Sequence, residues 1–123
     1  MVGMSEIYFF DTYAFFEIIR GNFNYKKYED INVITTIFNL AELNYGLKKE
    51  KNEKVADEIT EKYRLFLVDV TLDDVKEAMD LKIKNKQFSI PDAIGYIIAK
   101  KFNAKFLTGD SGFKEMLNVE FVK

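Results

Sequence analysis

Carboxylates are the side chains of this sequence best placed to do chemistry, and two of them stand just after predicted strands. Asp11 directly follows the apolar run Ile7–Phe10, and Asp110 comes two residues after Thr108, where a second apolar run ends. In open parallel sheets, ligands and reacting groups lie off the carboxyl ends of the strands. We therefore expect both acids at the functional edge of the sheet.

Two further acids, Asp92 and Glu42, are predicted to lie on helices. Asp92 comes after Ser89 and Pro91, at the start of a predicted helix. Glu42 lies in the middle of an apolar helix, and its neighbours three and four residues away include no cation. No ion pair within the helix can therefore stabilise Glu42. Its carboxylate must face solvent or interact with a residue that is distant in the sequence.

Four acids gathered at one edge would repel one another at neutral pH unless a cation joined them. Ligand sets made only of oxygen favour Mg²⁺ or Mn²⁺ over zinc. Such an ion can hold a phosphate and activate a water, and two ions about 4 Å apart can stabilise both the attacking and the leaving oxygen. The pattern therefore indicates metal-dependent phosphodiester chemistry.

Each acid also has a purely structural explanation. Asp11 and Asp110 can each cap the amino terminus of the helix that follows, because an Asp side chain accepts a backbone N–H there. Ser89 and Asp92 have the spacing of a capping box. Glu42 can simply face solvent, as most Glu residues do. The residues alone leave both explanations open.

The composition excludes several other chemistries. The chain of 123 residues contains neither Cys nor His. Disulfides, thiolate zinc sites, cysteine nucleophiles and Ser-His-Asp triads are therefore excluded. An enzyme with this composition must work with carboxylates, hydroxyls, lysines or a hard metal ion.

The charge balance argues against a strongly basic nucleic-acid-binding module. The net charge is −2, and sixteen of the 18 cations are Lys, the exceptions being Arg20 and Arg64. A polyanionic partner would have to bind a local patch of lysines. The longest uncharged stretch, Ile31 to Ala41, is eleven residues, which is too short to cross a bilayer. Without a basic leader before Glu6, we expect a cytoplasmic protein that binds no membrane.

Hydrophobic spacing predicts strands that alternate with helices in one domain spanning residues 1–123. The predicted strands are Ile7–Phe10, Ile31–Thr35, Leu67–Val70, Lys105–Thr108 and a final edge strand, Val119–Val122. The predicted helices cover Phe15–Ile19, Ile37–Lys49, Val55–Phe66, Leu72–Ile83, Ile90–Ile98 and, briefly, Phe113–Leu117. This alternation is typical of an α/β fold, a three-layer α/β/α sandwich with a mostly parallel sheet.

Four segments of the chain together resemble the PIN-domain ribonucleases, most of all the VapC-type toxins of toxin–antitoxin pairs. The segments are FDTYAF at 10–15, LAELNYG at 40–46, IPDAIGYIIA at 90–99 and FLTGDSGF at 106–113. They occur in the order and at the spacing of that family, over nearly the whole chain. Each segment is a weak signal alone, and four in register are a fairly specific one.

The resemblance implies a PIN-like fold and a metal-binding quartet of Asp11, Glu42, Asp92 and Asp110. It also implies that the hydroxyls of Thr12 and Thr108 support this site. Members of the family cleave RNA with Mg²⁺ or Mn²⁺, usually as homodimers, and a small antitoxin commonly inhibits them. Family members often carry Arg near the site, whereas this chain has almost none.

Because arginines are so few, lysines must contact the RNA backbone. The candidates are Lys48, Lys49 and Lys51, which lie beyond Glu42 on its helix. The same lysines can instead be a solvated helix end, where cations suit the helix dipole. The translation start can be Met1 or Met4.

Two other functions fit parts of the sequence. A receiver-type phosphoacceptor domain has a similar length and sheet, but it needs a second acid after the first strand, where this chain has Thr12 and Tyr13. It also needs a Lys after its fifth strand, whereas Lys105 precedes the apolar residues of its strand. A catalytically silent PIN-like binding protein is the second alternative, although the presence of all four acids argues against it.

Overall fold

The fold is built on a four-stranded sheet in the order β2-β1-β3-β4, with every neighbouring pair parallel. The computed structural model describes residues 6–123, so the choice between Met1 and Met4 lies outside the described residues. The strands are β1 (Ile7–Phe10), β2 (Asn32–Ile34), β3 (Lys105–Thr108) and β4 (Val119–Phe121). Because all four run in the same direction, their carboxyl ends share one edge, which we call the acid edge because Asp11 and Asp110 follow there.

Five α-helices and three short 3₁₀ segments connect the strands. The helices are α1 (Thr12–Ile19), α2 (Ile37–Glu50), α3 (Glu53–Glu61), α4 (Leu72–Lys84) and α5 (Ile90–Lys101). The 3₁₀ segments are Phe23–Tyr28, Arg64–Phe66 and Ser111–Phe113. Each α-helix begins after a capping side chain, in order Asp11, Thr36, Asn52, Thr71 and Ser89. These are the residue types that best satisfy the first free N–H groups of a helix.

Helices cover both faces of the sheet, which confirms the predicted three-layer architecture. Successive residues of a strand point to opposite faces. Accordingly, Phe9 packs in a core with residues of α4 and α5, such as Ala78 and Ile94, and Phe10 packs with residues of α1 and α2. Both Phe side chains are buried. Strand β1 is therefore buried on both sides, as its uninterrupted apolar sequence predicts.

The prediction of a strand at Leu67–Val70 is wrong. Leu67 forms only an isolated bridge with Thr35, just beyond β2, and the chain then runs on to Thr71, which caps α4. Val68 and Val70 instead pack against the core on the α4–α5 side. These apolar residues are partly buried through side-chain packing without joining the sheet.

Two predicted helices also differ from the structure. The helix predicted over Val55–Phe66 ends as α3 at Glu61, and the separate 3₁₀ segment Arg64–Phe66 follows it. The short helix predicted over Phe113–Leu117 is instead a 3₁₀ turn at Ser111–Phe113, which Asp110 caps. Among the helices of residues 6–123, none combines the length and the apolar character needed to span a membrane.

Candidate functional site

Asp11 joins β1 to α1 and is almost completely buried, with 1% of its surface exposed. One of its carboxylate oxygens, Oδ1, accepts the Ala14 N–H at 2.8 Å. Asp11 therefore does cap the amino terminus of α1, as the structural explanation predicts. Burying a carboxylate to this degree is costly unless the group is paired or coordinates a metal, so burial adds a question that capping leaves open.

Asp110 lies at the same edge, two residues beyond β3. Its Oδ1 accepts the Gly112 N–H at 2.9 Å, and its own N–H donates to the Thr108 hydroxyl oxygen at 3.0 Å. The Thr108 side chain also lies close enough to Asp11 to lower the pKa of that carboxyl by hydrogen bonding. The buried Thr108 hydroxyl therefore holds the backbone of Asp110 and lies close to the side chain of Asp11.

The two helical acids are held by hydrogen bonds of their own. Asp92 completes the predicted capping box, because its Oδ2 accepts the Ser89 N–H at 2.9 Å. Glu42 is partly buried, and its Oε1 accepts the Thr12 hydroxyl at 2.7 Å. Glu42 is thus fixed against the first residue of α1 instead of projecting freely into solvent.

The pKa shifts of Asp11 and Asp92 show that the four acids lie near one another. Burial raises the pKa of Asp11 to about 8, against the hydrogen bonds from Thr108 and Ala14, which lower it, and the charges of Asp92 and Asp110 raise it further. Burial likewise raises the pKa of Asp92, and the charges of Glu42 and Asp110 add to that rise. Each carboxylate is therefore close enough to at least one other to feel its charge.

The donor set has the chemistry that a hard divalent cation requires. Within residues 6–123, Asp92, Asp110 and Glu42 each keep one carboxylate oxygen that accepts no hydrogen bond, and none of the four acids forms an ion pair. No group of three or more acidic side chains in that part of the chain is arranged to hold a metal ion as it stands. Mutual repulsion is a physical reason for carboxylates without a cation to stay apart.

The three candidate RNA-contacting lysines lie farther along α2. Lys48 pairs with Asp57 on α3 at 3.1 Å, and the Lys49 ammonium lies 5.1 Å from the centre of the Tyr45 ring. Lys51 is exposed at the carboxyl cap of the helix. At about 1.5 Å per residue, these lysines stand about 10 Å beyond Glu42 along the helix axis.

Sequence reasoning missed Asn39, which lies one helical turn before Glu42. It is completely buried, its backbone carbonyl lies 3.4 Å from the Thr12 hydroxyl, and its Oδ1 accepts the Thr36 hydroxyl at 2.7 Å. Its Nδ2 is the one buried side-chain nitrogen or oxygen in the described part of the chain without a hydrogen-bond partner. An Asn inside an apolar helix was the available signal, because burying its amide is costly.

Sequence reasoning also missed Lys123 and Tyr13. Lys123 comes two residues after β4, as Asp110 comes two residues after β3, so the rule that pointed to polar residues after strands applies to it as well. Its ammonium donates to the carbonyl of Gly109, the residue before Asp110, at 3.2 Å. Tyr13 is the residue after Thr12 and lies beneath that ammonium.

Comparison with known proteins identifies the family. The family model described as the PIN domain matches residues 8–117, a span that includes the four acids. No curated protein sequence matches the chain significantly.

Several solved structures have the same fold. A toxin–antitoxin complex from Klebsiella pneumoniae aligns with a TM-score of 0.73 at 18% identity, over 92% of this chain and 95% of that one. VapC20 from Mycobacterium tuberculosis, described as a toxin that cleaves the sarcin–ricin loop, aligns with a TM-score of 0.73 at 19% identity, over 94% and 99% of the two chains. VapBC2 from Rickettsia felis, bound to a DNA fragment from its promoter, gives 0.69 at 19% identity, over 94% and 97%.

Proposed function

The chain belongs to the PIN-domain family, and on that basis we propose that it is a metal-dependent endoribonuclease and the toxin of a toxin–antitoxin pair. The reaction is hydrolysis of RNA phosphodiester bonds, which leaves a 5′-phosphate and a 3′-hydroxyl. The 123 residues act as one domain, in the cytoplasm, where the RNA substrate is found.

One observation carries this proposal. Four acids from separate segments of the chain lie near the carboxyl edge of a parallel sheet: Asp11 is affected by the charges of Asp92 and Asp110, and Asp92 by those of Glu42 and Asp110. Within residues 6–123 no cation pairs with any of them. Such a concentration of negative charge is costly unless it serves to bind cations.

The four acids have two different roles in binding Mg²⁺ or Mn²⁺. We assign Asp11 and Asp110 as direct ligands, and Asp92 and Glu42 as the residues that complete the shell around the ion. When it is bound, the ion neutralises charge on the scissile phosphate and activates water for attack on phosphorus.

The hydroxyl groups orient these acids. Thr12 holds one oxygen of Glu42 by its hydrogen bond of 2.7 Å and leaves the other oxygen free for the site. Thr108 holds the backbone of Asp110 through its hydroxyl oxygen at 3.0 Å and lies close enough to Asp11 to lower the pKa of that carboxyl. Groups that orient ligands in this way typically change metal affinity or activity when they are removed.

The partners follow from the same proposal. The chain works as a homodimer on RNA and is inhibited by a small antitoxin. Support for the antitoxin comes from solved structures of the same fold that are toxin–antitoxin complexes, one from Klebsiella pneumoniae and one, VapBC-1, from nontypeable Haemophilus influenzae. The latter aligns with a TM-score of 0.68 at 14% identity.

The decisive experiment is cleavage of a mixed RNA pool by the purified protein, with Mg²⁺ or Mn²⁺ and with EDTA, beside the variant Asp11→Asn. We expect cleavage by the wild type only with metal, and none by the variant. Asn caps a helix as well as Asp does, so the variant keeps its fold. If Asp11→Asn still cleaves RNA with metal, Asp11 only caps the helix and does not take part in cleavage. If the folded wild type cleaves no RNA, the catalytically silent alternative is favoured.

A further inference from the structure

The segment after the fourth strand, β4, places the positively charged Lys123 at the acid edge. Strand β4 is parallel to β3 and pairs with it directly, Phe106 with Val119 and Thr108 with Phe121. The residues after β4 therefore emerge beside the loop that carries Asp110. Lys123 is the second residue after the strand ends.

Several hydrogen bonds fix this segment in place. The Val122 N–H donates to the Thr108 carbonyl at 2.9 Å, and the Tyr25 hydroxyl donates to the Val122 carbonyl at 2.5 Å. Asn24 donates through Nδ2 to the Lys123 carbonyl at 3.1 Å. All of these bonds reach the backbone of the segment, so they hold Lys123 in position without using its side chain.

The side chain of Lys123 is directed along the acid edge. Its ammonium bonds the Gly109 carbonyl at 3.2 Å and lies 5.8 Å from the centre of the Tyr13 ring. Tyr13 packs so tightly on Gly109 that a Cβ at that position would overlap the ring, which leaves no room for a larger residue. Tyr13 lies two residues after Asp11 and Gly109 directly precedes Asp110, so the ammonium contacts both segments that carry these acids.

Lys123 also keeps its charge available for a ligand. The residue is exposed, and within residues 6–123 its ammonium forms no ion pair. Both arginines of the chain are engaged, Arg20 with Glu17 and Glu50 and Arg64 with Glu61. The bond to Gly109 uses one of the three ammonium hydrogens and leaves two.

We propose that Lys123, seated on Tyr13 and Gly109, is a phosphate-binding subsite of the RNA strand beside the acid cluster. This inference rests on the proposed function and extends it to substrate recognition. An RNA strand that approaches four carboxylates is repelled, and a fixed cation beside Asp110 offsets that repulsion for one phosphate. The contact is a charge-assisted hydrogen bond, which is stronger than a neutral one. It recognises backbone and not base, so it is independent of RNA sequence.

The test measures the binding of a short fluorescent single-stranded RNA by anisotropy, over a series of salt concentrations with Mg²⁺ present. All proteins in this binding assay carry Asp11→Asn, so that the RNA is not cleaved during the measurement. We expect Lys123→Met to weaken binding about tenfold. We also expect it to reduce the slope of log affinity against log salt by about 0.7, the value for one lost phosphate contact on a single strand. Lys123→Arg keeps the charge and should restore most of the affinity.

The matched control is Lys54→Met, which removes an exposed lysine on α3, away from β4. Lys123→Met should lower kcat/KM for RNA cleavage about tenfold relative to this control when Asp11 is present. If the wild type cleaves RNA and the two Met variants match in affinity, salt slope and kcat/KM, the subsite is wrong and the proposed function stands. If the wild type cleaves no RNA, the proposed function fails, and the subsite fails with it.

Discussion

At the scale of a single residue, two features of Asp11 have opposite effects on the stability of the fold. Its carboxylate caps α1, which stabilises the fold, yet it is buried among other acids, which raises its pKa to about 8. In the folded protein, this group therefore keeps a proton between about pH 4 and pH 8 that the unfolded chain has already released. Stability must then fall as the pH rises through that interval.

We accordingly expect Asp11→Asn to raise the melting temperature of the metal-free protein by several degrees near pH 8 and to change it little near pH 4. Asn removes the charge and keeps the cap. Thermal unfolding in EDTA at a series of pH values provides the measurement. A difference between variant and wild type that does not grow with pH would show that Asp11 is not the source of the dependence.

Thr12 gives a second prediction at this scale, because its hydroxyl holds Glu42 at 2.7 Å. We expect Thr12→Val to lower metal affinity or cleavage by about 10- to 100-fold, the usual effect of losing a group that orients a ligand. Isothermal titration with Mn²⁺ and initial cleavage rates would measure it. Thr12→Ser keeps the hydroxyl and is the control, and equal losses in both variants would contradict the assigned role.

The candidate site was largely predictable at the residue scale, because each acid has a local signal in the sequence. Asp11 and Asp110 follow apolar runs, and Asp92 follows Ser89 and Pro91. Their assignment to a metal remains a prediction. Lys123 also follows a strand, but its position beside Gly109 depends on which strand pairs with β3, and no local pattern encodes that pairing.

At the scale of secondary-structure elements, α5 lies against the sheet through a close contact at Gly95. A Cβ at this position would lie 2.7 Å from Cε1 of Phe9, which is buried on β1. The contact sets the distance between α5 and β1, and these two elements carry Asp92 and Asp11 to the site. A larger residue at 95 must therefore displace the helix that carries Asp92.

We expect Gly95→Ala to destabilise the fold by about 1–3 kcal/mol through overpacking and to reduce cleavage as well. Chemical denaturation and the RNA cleavage rate would test both effects. Gly112→Ala is the control for stability, because its Cβ would meet its nearest neighbour at an ordinary 3.4 Å. A Gly95→Ala variant as stable as this control would mean that α5 shifts without cost.

The elements were predicted well where periodicity and caps agree, and poorly where only a short apolar run was available. The helix α5 has both a stripe of apolar residues and a capping box, and it begins at the predicted residue. The run Leu67–Val70 has neither turn residues nor length to separate a strand from buried coil. Leu67 forms only an isolated bridge with Thr35, just after β2 ends, so whether this run joins the sheet depended on the end of β2, which residues 67–70 do not encode.

At the scale of the whole molecule, the acid cluster should make stability depend on divalent cations. We expect millimolar Mg²⁺ or Mn²⁺ to raise the melting temperature, because an ion that binds only the folded state stabilises it by mass action. For a domain of this size, a stabilisation of 1 kcal/mol corresponds to about 4 °C. Differential scanning fluorimetry with and without metal provides the test.

The control for this effect is Asp110→Asn, which removes one carboxylate and keeps the cap. Its shift with metal should be much smaller than that of the wild type. Equal shifts in the two proteins would place the bound ion elsewhere on the surface, and no shift in either would count against the metal site itself.

The strand order of the sheet determines at which point during synthesis the proposed site can first form. Strand β1 sits between β2 and β3, and its pairing with β3 joins Tyr8 to Lys105, near opposite ends of the sequence. A nascent chain that ends before Lys105 has neither this pairing nor Asp110. On the proposed function, a chain that is still being translated therefore cannot cleave RNA until residues 105–110 have been made and β1 and β3 have paired.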